Sequence, residues 1–100
     1  MIYIAGPYRA STKLGIIINI LKARKVAKKY WALGYTVITP HCNSALMDGC
    51  APDAVFLRGG LNLLECANLM VVLPGWERST GTIAEIEFAK EKGIPITYEG

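Results

Sequence analysis

The sequence has little charge, and what it has is nearly balanced. Charged residues fill only 19% of the 100 positions, eleven Lys and Arg against eight Asp and Glu, for a formal charge of +3. A nucleic-acid-binding domain of this size is usually more basic, so nucleic acid is not an expected partner. There is one histidine, and the three cysteines, Cys42, Cys50 and Cys66, are odd in number and form no CxxC pair. Neither a disulfide framework nor a zinc site follows, and no metal or cofactor is expected. Long apolar runs are missing as well. The longest stretch, Leu14 to Leu21, is interrupted by Gly15 and Asn19 and falls far short of the ~20 residues that a bilayer requires. No basic segment precedes the apolar start Ile2-Tyr3-Ile4-Ala5, so it does not read as a signal peptide, and a cytoplasmic chain is expected.

Apolar side chains, in contrast, are abundant: 52% of the residues are hydrophobic and the mean hydropathy is +0.30. That excludes disorder, a coiled coil and a low-complexity tail. A chain of this length forms one domain, residues 1–100, and buries only roughly 60 to 65% of its unfolded surface. Either apolar surface stays exposed or a partner covers it. The cluster Lys22, Arg24, Lys25, Lys28 and Lys29 falls in a stretch of helical periodicity and reads as a solvated helix face.

Ile2 to Ala5 reads as a buried strand that ends at the Gly6-Pro7 break. From Ile16 to Leu33, apolar residues recur at Ile16, Ile20, Ala23, Ala27 and Trp31, which predicts a helix that stops at Gly34. Tyr35 to Thr39 is a second strand closed by Pro40, followed by a long loop over His41 to Asp53. Asp53 opens a second helix reaching Cys66, weakened by Gly59-Gly60. Asn68 to Leu73 has the unbroken apolar character of a central strand. A third helix over Thr82 to Lys92, with Gly93 as its stop, leads to a last strand, Ile94 to Tyr98.

This alternation predicts an α/β fold, a flavodoxin-like three-layer sandwich with a four-stranded parallel sheet of order 2-1-3-4 and three helices. Ligands of such sheets sit beyond the carboxyl ends of the strands, at the switch point between strands one and three. Three segments would wall that crevice: Gly6-Pro7-Tyr8-Arg9, Pro40-His41-Cys42-Asn43 and Pro74 to Gly81. In the last, Ser79, Thr80 and Thr82 surround Gly81 at a helix start, where free N–H groups and the helix dipole favour a phosphate, although hydroxyls there are also ordinary caps. Glu85 follows about one turn later, and the positive end of the dipole is expected to keep it ionised, as attack on a sugar C1′ requires. Trp76 and Tyr8 could stack on a nucleobase, and Arg9 and Arg78 could pair with a 5′-phosphate. His41 could move a proton near neutral pH, with Asn43 beside it as a ligand contact and Glu77 or Tyr8 as fallback proton donors.

Ile2-Tyr3-Ile4-Ala5-Gly6-Pro7, the Gly81-Thr82-x-x-Glu85 element and the Ala89 and Gly93 that follow resemble the nucleoside 2-deoxyribosyltransferase-like family over nearly the whole chain. Pro40-His41-x-Asn43 and Pro74-Gly75-Trp76-Glu77-x-Ser79 resemble a small branch of it met in phage and prophage proteins. The resemblance implies cleavage or transfer of an N-glycosidic bond on a nucleoside or nucleoside 5′-monophosphate. It also implies Glu85 as the nucleophile and Tyr3 as the residue that positions sugar and nucleophile. The substrate would meet Gly6, Pro7, Tyr8, Arg9, Asn43, Gly75, Trp76, Ser79, Thr80, Gly81 and Thr82. Two positions depart from the family pattern, Ser79 and Asn68, where relatives carry aspartate. The alternative is a catalytically inactive nucleotide-binding or regulatory domain that keeps the crevice. Phosphoribohydrolases with Pro-Gly-Gly-x-Gly-Thr-x-x-Glu share the chemistry, but Trp76 and the longer spacing fit them less well.

With order 2-1-3-4 the first helix covers one sheet face alone while the other two share the opposite face. A second copy is expected to supply the missing cover, making the protein a homodimer or a larger homo-oligomer.

Overall fold

The computed structural model of the chain describes residues 1–7, 10–40 and 53–99. Strand β1, Ile2–Ala5, is apolar and buried at all four positions, as a strand covered on both faces must be. Helix α1, Lys13–Ala32, leads to the short strand β2, Val37–Ile38. Helix α2, Asp53–Glu65, precedes strand β3, Leu69–Val72. A 3-10 turn over Trp76–Arg78 then enters helix α3, Thr80–Lys92, and strand β4, Ile96–Tyr98, closes the sheet. The four strands lie parallel in the order β2-β1-β3-β4, the flavodoxin-like α/β arrangement expected from the sequence. No described helix is long and apolar enough to cross a membrane.

The pleat sorts the side chains of β1 to two cores. Tyr3 and Ala5 join Met70, Val72, Leu64, Ile86 and Ala89 on the face covered by α2 and α3. Ile2 and Ile4 join Val71, Leu73, Ala23 and Ala27 under α1. Among the described residues, one helix therefore covers one face and two share the other. The far end of α1 is tied across the sheet, because the Lys29 ammonium donates to Glu99 beyond β4.

Element boundaries moved where a side chain caps a helix. Helix α1 starts at Lys13 rather than Ile16 because Thr12 Oγ1 accepts from the Gly15 N–H at 3.0 Å. Helix α3 starts at Thr80 rather than Thr82 because Ser79 takes the cap position. Helix α2 runs unbroken through Gly59-Gly60. The α1 stripe also differs from expectation. Ala23 and Ala27 are buried, but Val26 and Tyr30 complete the packed face, and Trp31 is 53% exposed. The set 23, 26, 27, 30 is the i, i+3, i+4, i+7 face of a helix, and Trp31 lies one residue round from it.

The β1–β3 register pairs Ile2 with Leu69 and Ala5 with Val72, so the two strands end level and their connections leave the sheet side by side. The approach there is tight: a Cβ on Gly6 would stand 2.7 Å from Leu73 Cβ. Gly6→Ala must push the buried Leu73 away, and we expect it to cost about 1–3 kcal/mol. A thermal melt checks this, and an unchanged Tm would mean that the gap opens freely.

Candidate active site

Tyr3 lies in the middle of the sheet with its ring fully buried, and its hydroxyl reaches α3, where it donates a hydrogen bond to Glu85 Oε2. A central strand holds the phenol in place, and a helix packed on that strand by Ile86 and Ala89 holds the carboxylate. The third element at this point is α2. A Cβ on Gly60 would stand 2.9 Å from Tyr3 Oη and 3.5 Å from Glu85 Oε2, so α2 crosses the pair with its bare backbone. Gly60 is buried, whereas a Cβ on its neighbour Gly59 would meet nothing within 4 Å.

The electrostatics of the pair differ from the expectation of a carboxylate held ionised by the helix dipole. Burial pushes the Glu85 carboxyl up from 4.5 to about 7, against a smaller downward pull from the Tyr3 hydrogen bond. Glu85 sits beyond the first turn of α3, where the dipole has faded, so desolvation wins. Burial, and then the neighbouring Glu85 charge, raise the Tyr3 phenol above its usual range. The phenol stays protonated and acts as a donor. Glu85 is poised to change charge near neutral pH, as groups in active sites often are.

The β3–α3 connection packs against the end of β1. Gly75 takes a left-handed conformation, φ 87°, and a Cβ there would lie 3.3 Å from Pro7 Cγ. The turn thus needs glycine both for its backbone angle and for the approach of Pro7. Ser79 Oγ accepts from the Thr82 N–H at 3.2 Å and from the Thr82 hydroxyl at 2.9 Å. Thr82 is buried and its hydroxyl is engaged in that cap, so the open side of the α3 start is Thr80 and the partly exposed Gly81. Trp76 is partly buried against the α2–α3 core and meets the Tyr98 ring at 5.5 Å, tilted by 46°. Glu77 and Arg78 are exposed.

The sequence matches, over residues 1–98, the family described as a domain of unknown function, DUF4406. The chain belongs to that family. Comparison with curated proteins finds no match.

Of the residues singled out from the sequence, this DUF4406 domain brings Tyr3 to Glu85, Pro7 to Gly75 and Ser79 to Thr82. Tyr8, Arg9, His41 and Asn43 lie outside the described residues. Asn68 stands at the opposite end of β3 from the connection to α3, where its Oδ1 accepts from the Met1 amino group at 2.7 Å. A carboxylate at this position would therefore sit away from Glu85 and the α3 start. Two residues of the site escaped sequence reasoning, Gly60 and Tyr98. The only sequence sign of Gly60 is a pair of glycines inside a helical pattern, which reads as weakness until the packing is seen.

Proposed function

We propose that this domain cleaves or exchanges the N-glycosidic bond of a nucleoside or nucleoside 5′-monophosphate, as the resemblance to nucleoside 2-deoxyribosyltransferase-like proteins implies. The observation that supports this reading is the hydrogen bond from the buried Tyr3 hydroxyl to Glu85, with α2 crossing it at Gly60. A structural surface glutamate has no use for a fully buried phenol, an uphill carboxyl and a bare stretch of helix. With Oε2 held by Tyr3, Oε1 is the oxygen that attacks C1′ of the sugar. The C1′–N bond breaks, its electron pair leaves with the base, and a proton reaches the base nitrogen. His41 is the first candidate to deliver that proton, with Glu77 and Tyr8 behind it. Water or a second base then attacks C1′ and gives its proton to the group that protonated the leaving base, and the ester bond to Glu85 breaks to restore the carboxylate.

Around this pair, Gly6, Pro7, Gly75, Thr80 and Gly81 border the sugar and any phosphate, and Arg78 and Arg9 are the cations suited to a 5′-phosphate. Trp76 offers a ring face to the base. The work would be done in the cytoplasm, that of the host if the chain is phage-encoded. One observation favours the second reading, a nucleotide-binding domain without turnover: the Ser79 hydroxyl caps α3 at the position where the transferase branch has a carboxylate.

Incubation with ribo- and deoxyribonucleosides and their monophosphates, with chromatography for free base, separates the two. Base release that disappears in Glu85→Ala is the expected result, and release that survives it removes Glu85 as nucleophile. Nucleotide binding with no release from any substrate would favour the second reading. Tyr3→Phe removes the one hydrogen bond that lowers the Glu85 carboxyl. We expect the acid limb of its pH–rate profile to move above 7 and the rate at pH 7 to fall about 10- to 100-fold. A limb that stays put would mean that Tyr3 does not act through Glu85.

A further inference from the structure

The first half of α1 is apolar and stands clear of its own domain. Leu14, Ile17, Ile18 and Leu21 are 67, 41, 43 and 55% exposed, and no residue of the helix is buried before Ala23. Their spacing puts the four on one face. The same face continues into Arg24, Lys25 and Lys28, all exposed, and α1 contains no acidic residue. The face is thus aliphatic in its first half and cationic in its second.

We propose that this face joins two copies of the chain, with their α1 helices packed antiparallel about a two-fold axis between Ile17 and Ile18. In that register Leu14 meets Leu21 of the partner subunit and the aliphatic halves cover each other. Lys25 and the partner's Lys25 stay about 22 Å apart along the axis at 1.5 Å per residue, beyond the ~8–10 Å over which charges act in physiological salt. Parallel packing would stack the cations on themselves. A membrane surface fits less well, because a helix lying in a bilayer interface keeps its cations on the face opposite the apolar one. Here both share a face and are separated lengthwise, which suits a copy of the same helix running the other way. The four side chains offer roughly 350 Å² per copy, the apolar centre of an interface that usually takes about 800 Å² from each partner. Ala10 to Thr12 and the stem of Lys25 are exposed beside it to form the rim.

Sedimentation equilibrium at micromolar concentration should return twice the 10.9 kDa chain mass, and Ile18→Asp, checked for folding by circular dichroism, should return one. A monomeric wild type, or a folded Ile18→Asp that stays dimeric, overturns the proposal. For the register, cysteine is placed at position 14 or 21 in a chain whose own cysteines are replaced by serine. Mixed 14 and 21 chains should cross-link under oxidation and chains with 14 alone should not, and the reverse overturns the antiparallel arrangement. None of these readouts involves turnover, so failure to release base would leave them standing.

Discussion

Gly60→Ala is expected to leave the domain folded and its site spoiled. In a helix, alanine in place of glycine gains about 1 kcal/mol from propensity alone. At this position, however, the new Cβ would lie 2.9 Å from Tyr3 Oη and 3.5 Å from Glu85 Oε2. The Tyr3 ring is fully buried among core side chains and cannot retreat, so either its hydroxyl swings off the carboxylate or α2 moves outward. Both displace the pair by a fraction of an ångström, and a misplacement on the order of 1 Å costs about 100-fold in rate. We therefore expect kcat/KM for base release to drop about 10- to 100-fold, with the Tm within a few degrees of wild type because the propensity gain offsets the contact. The neighbouring glycine is the control. Gly59 is exposed and a Cβ there meets nothing, so Gly59→Ala should raise the Tm by about 4–8 °C, the shift that 1 kcal/mol gives a domain of this size, with activity unchanged. Equal kinetics for the two variants would mean that the approach of α2 to the pair has no part in the chemistry.

The contrast between these two glycines marks how far the sequence could be read. Strand order and the two-sided sheet were legible, because β1 and β3 are almost uninterrupted apolar runs and the connections between them are long enough only for crossovers. Tyr3 and Glu85 were legible as separate residues through the family resemblance. What could not be read was the state of the carboxyl. From the chain alone Glu85 follows a helix start, which argues for ionisation, while the burial that overrides the dipole comes from elements far away in sequence. Gly60 was hidden for the same reason, since a glycine in a helix looks like a defect until the neighbour that needs the space is known. Helix starts moved by two or three residues because Thr12 and Ser79 cap from outside the apolar pattern on which the prediction rested. Trp31 moved to the surface because the packed face of α1 is the set 23, 26, 27, 30, and Trp31 lies one residue round from it.

Glu85→Gln should have the largest effects, and in opposite directions for activity and stability. Glutamine cannot form the ester to C1′, so base release should fall by 10³-fold or more, as loss of a nucleophile does in other enzymes. Its stability consequence follows from the carboxyl that burial raises from 4.5 to about 7. Between those two values the folded chain holds a proton that the unfolded chain has released, so wild-type stability falls as the pH rises through this window and levels off above 7. At 1.36 kcal/mol per unit the loss amounts to about 3 kcal/mol, which Glu85→Gln escapes, because its carboxamide oxygen still accepts from the Tyr3 hydroxyl without carrying charge. Denaturant melts should therefore show the two proteins alike near pH 4.5 and the variant more stable by about 3 kcal/mol at pH 8. Under the proposed mechanism the same window governs the wild-type rate, since only an ionised Glu85 could attack C1′, and the rate should rise about tenfold per pH unit up to 7. A stability difference that does not change with pH would mean that Glu85 ionises in the folded protein as it does in water. The geometry around Tyr3 would then be structural and not poised for chemistry.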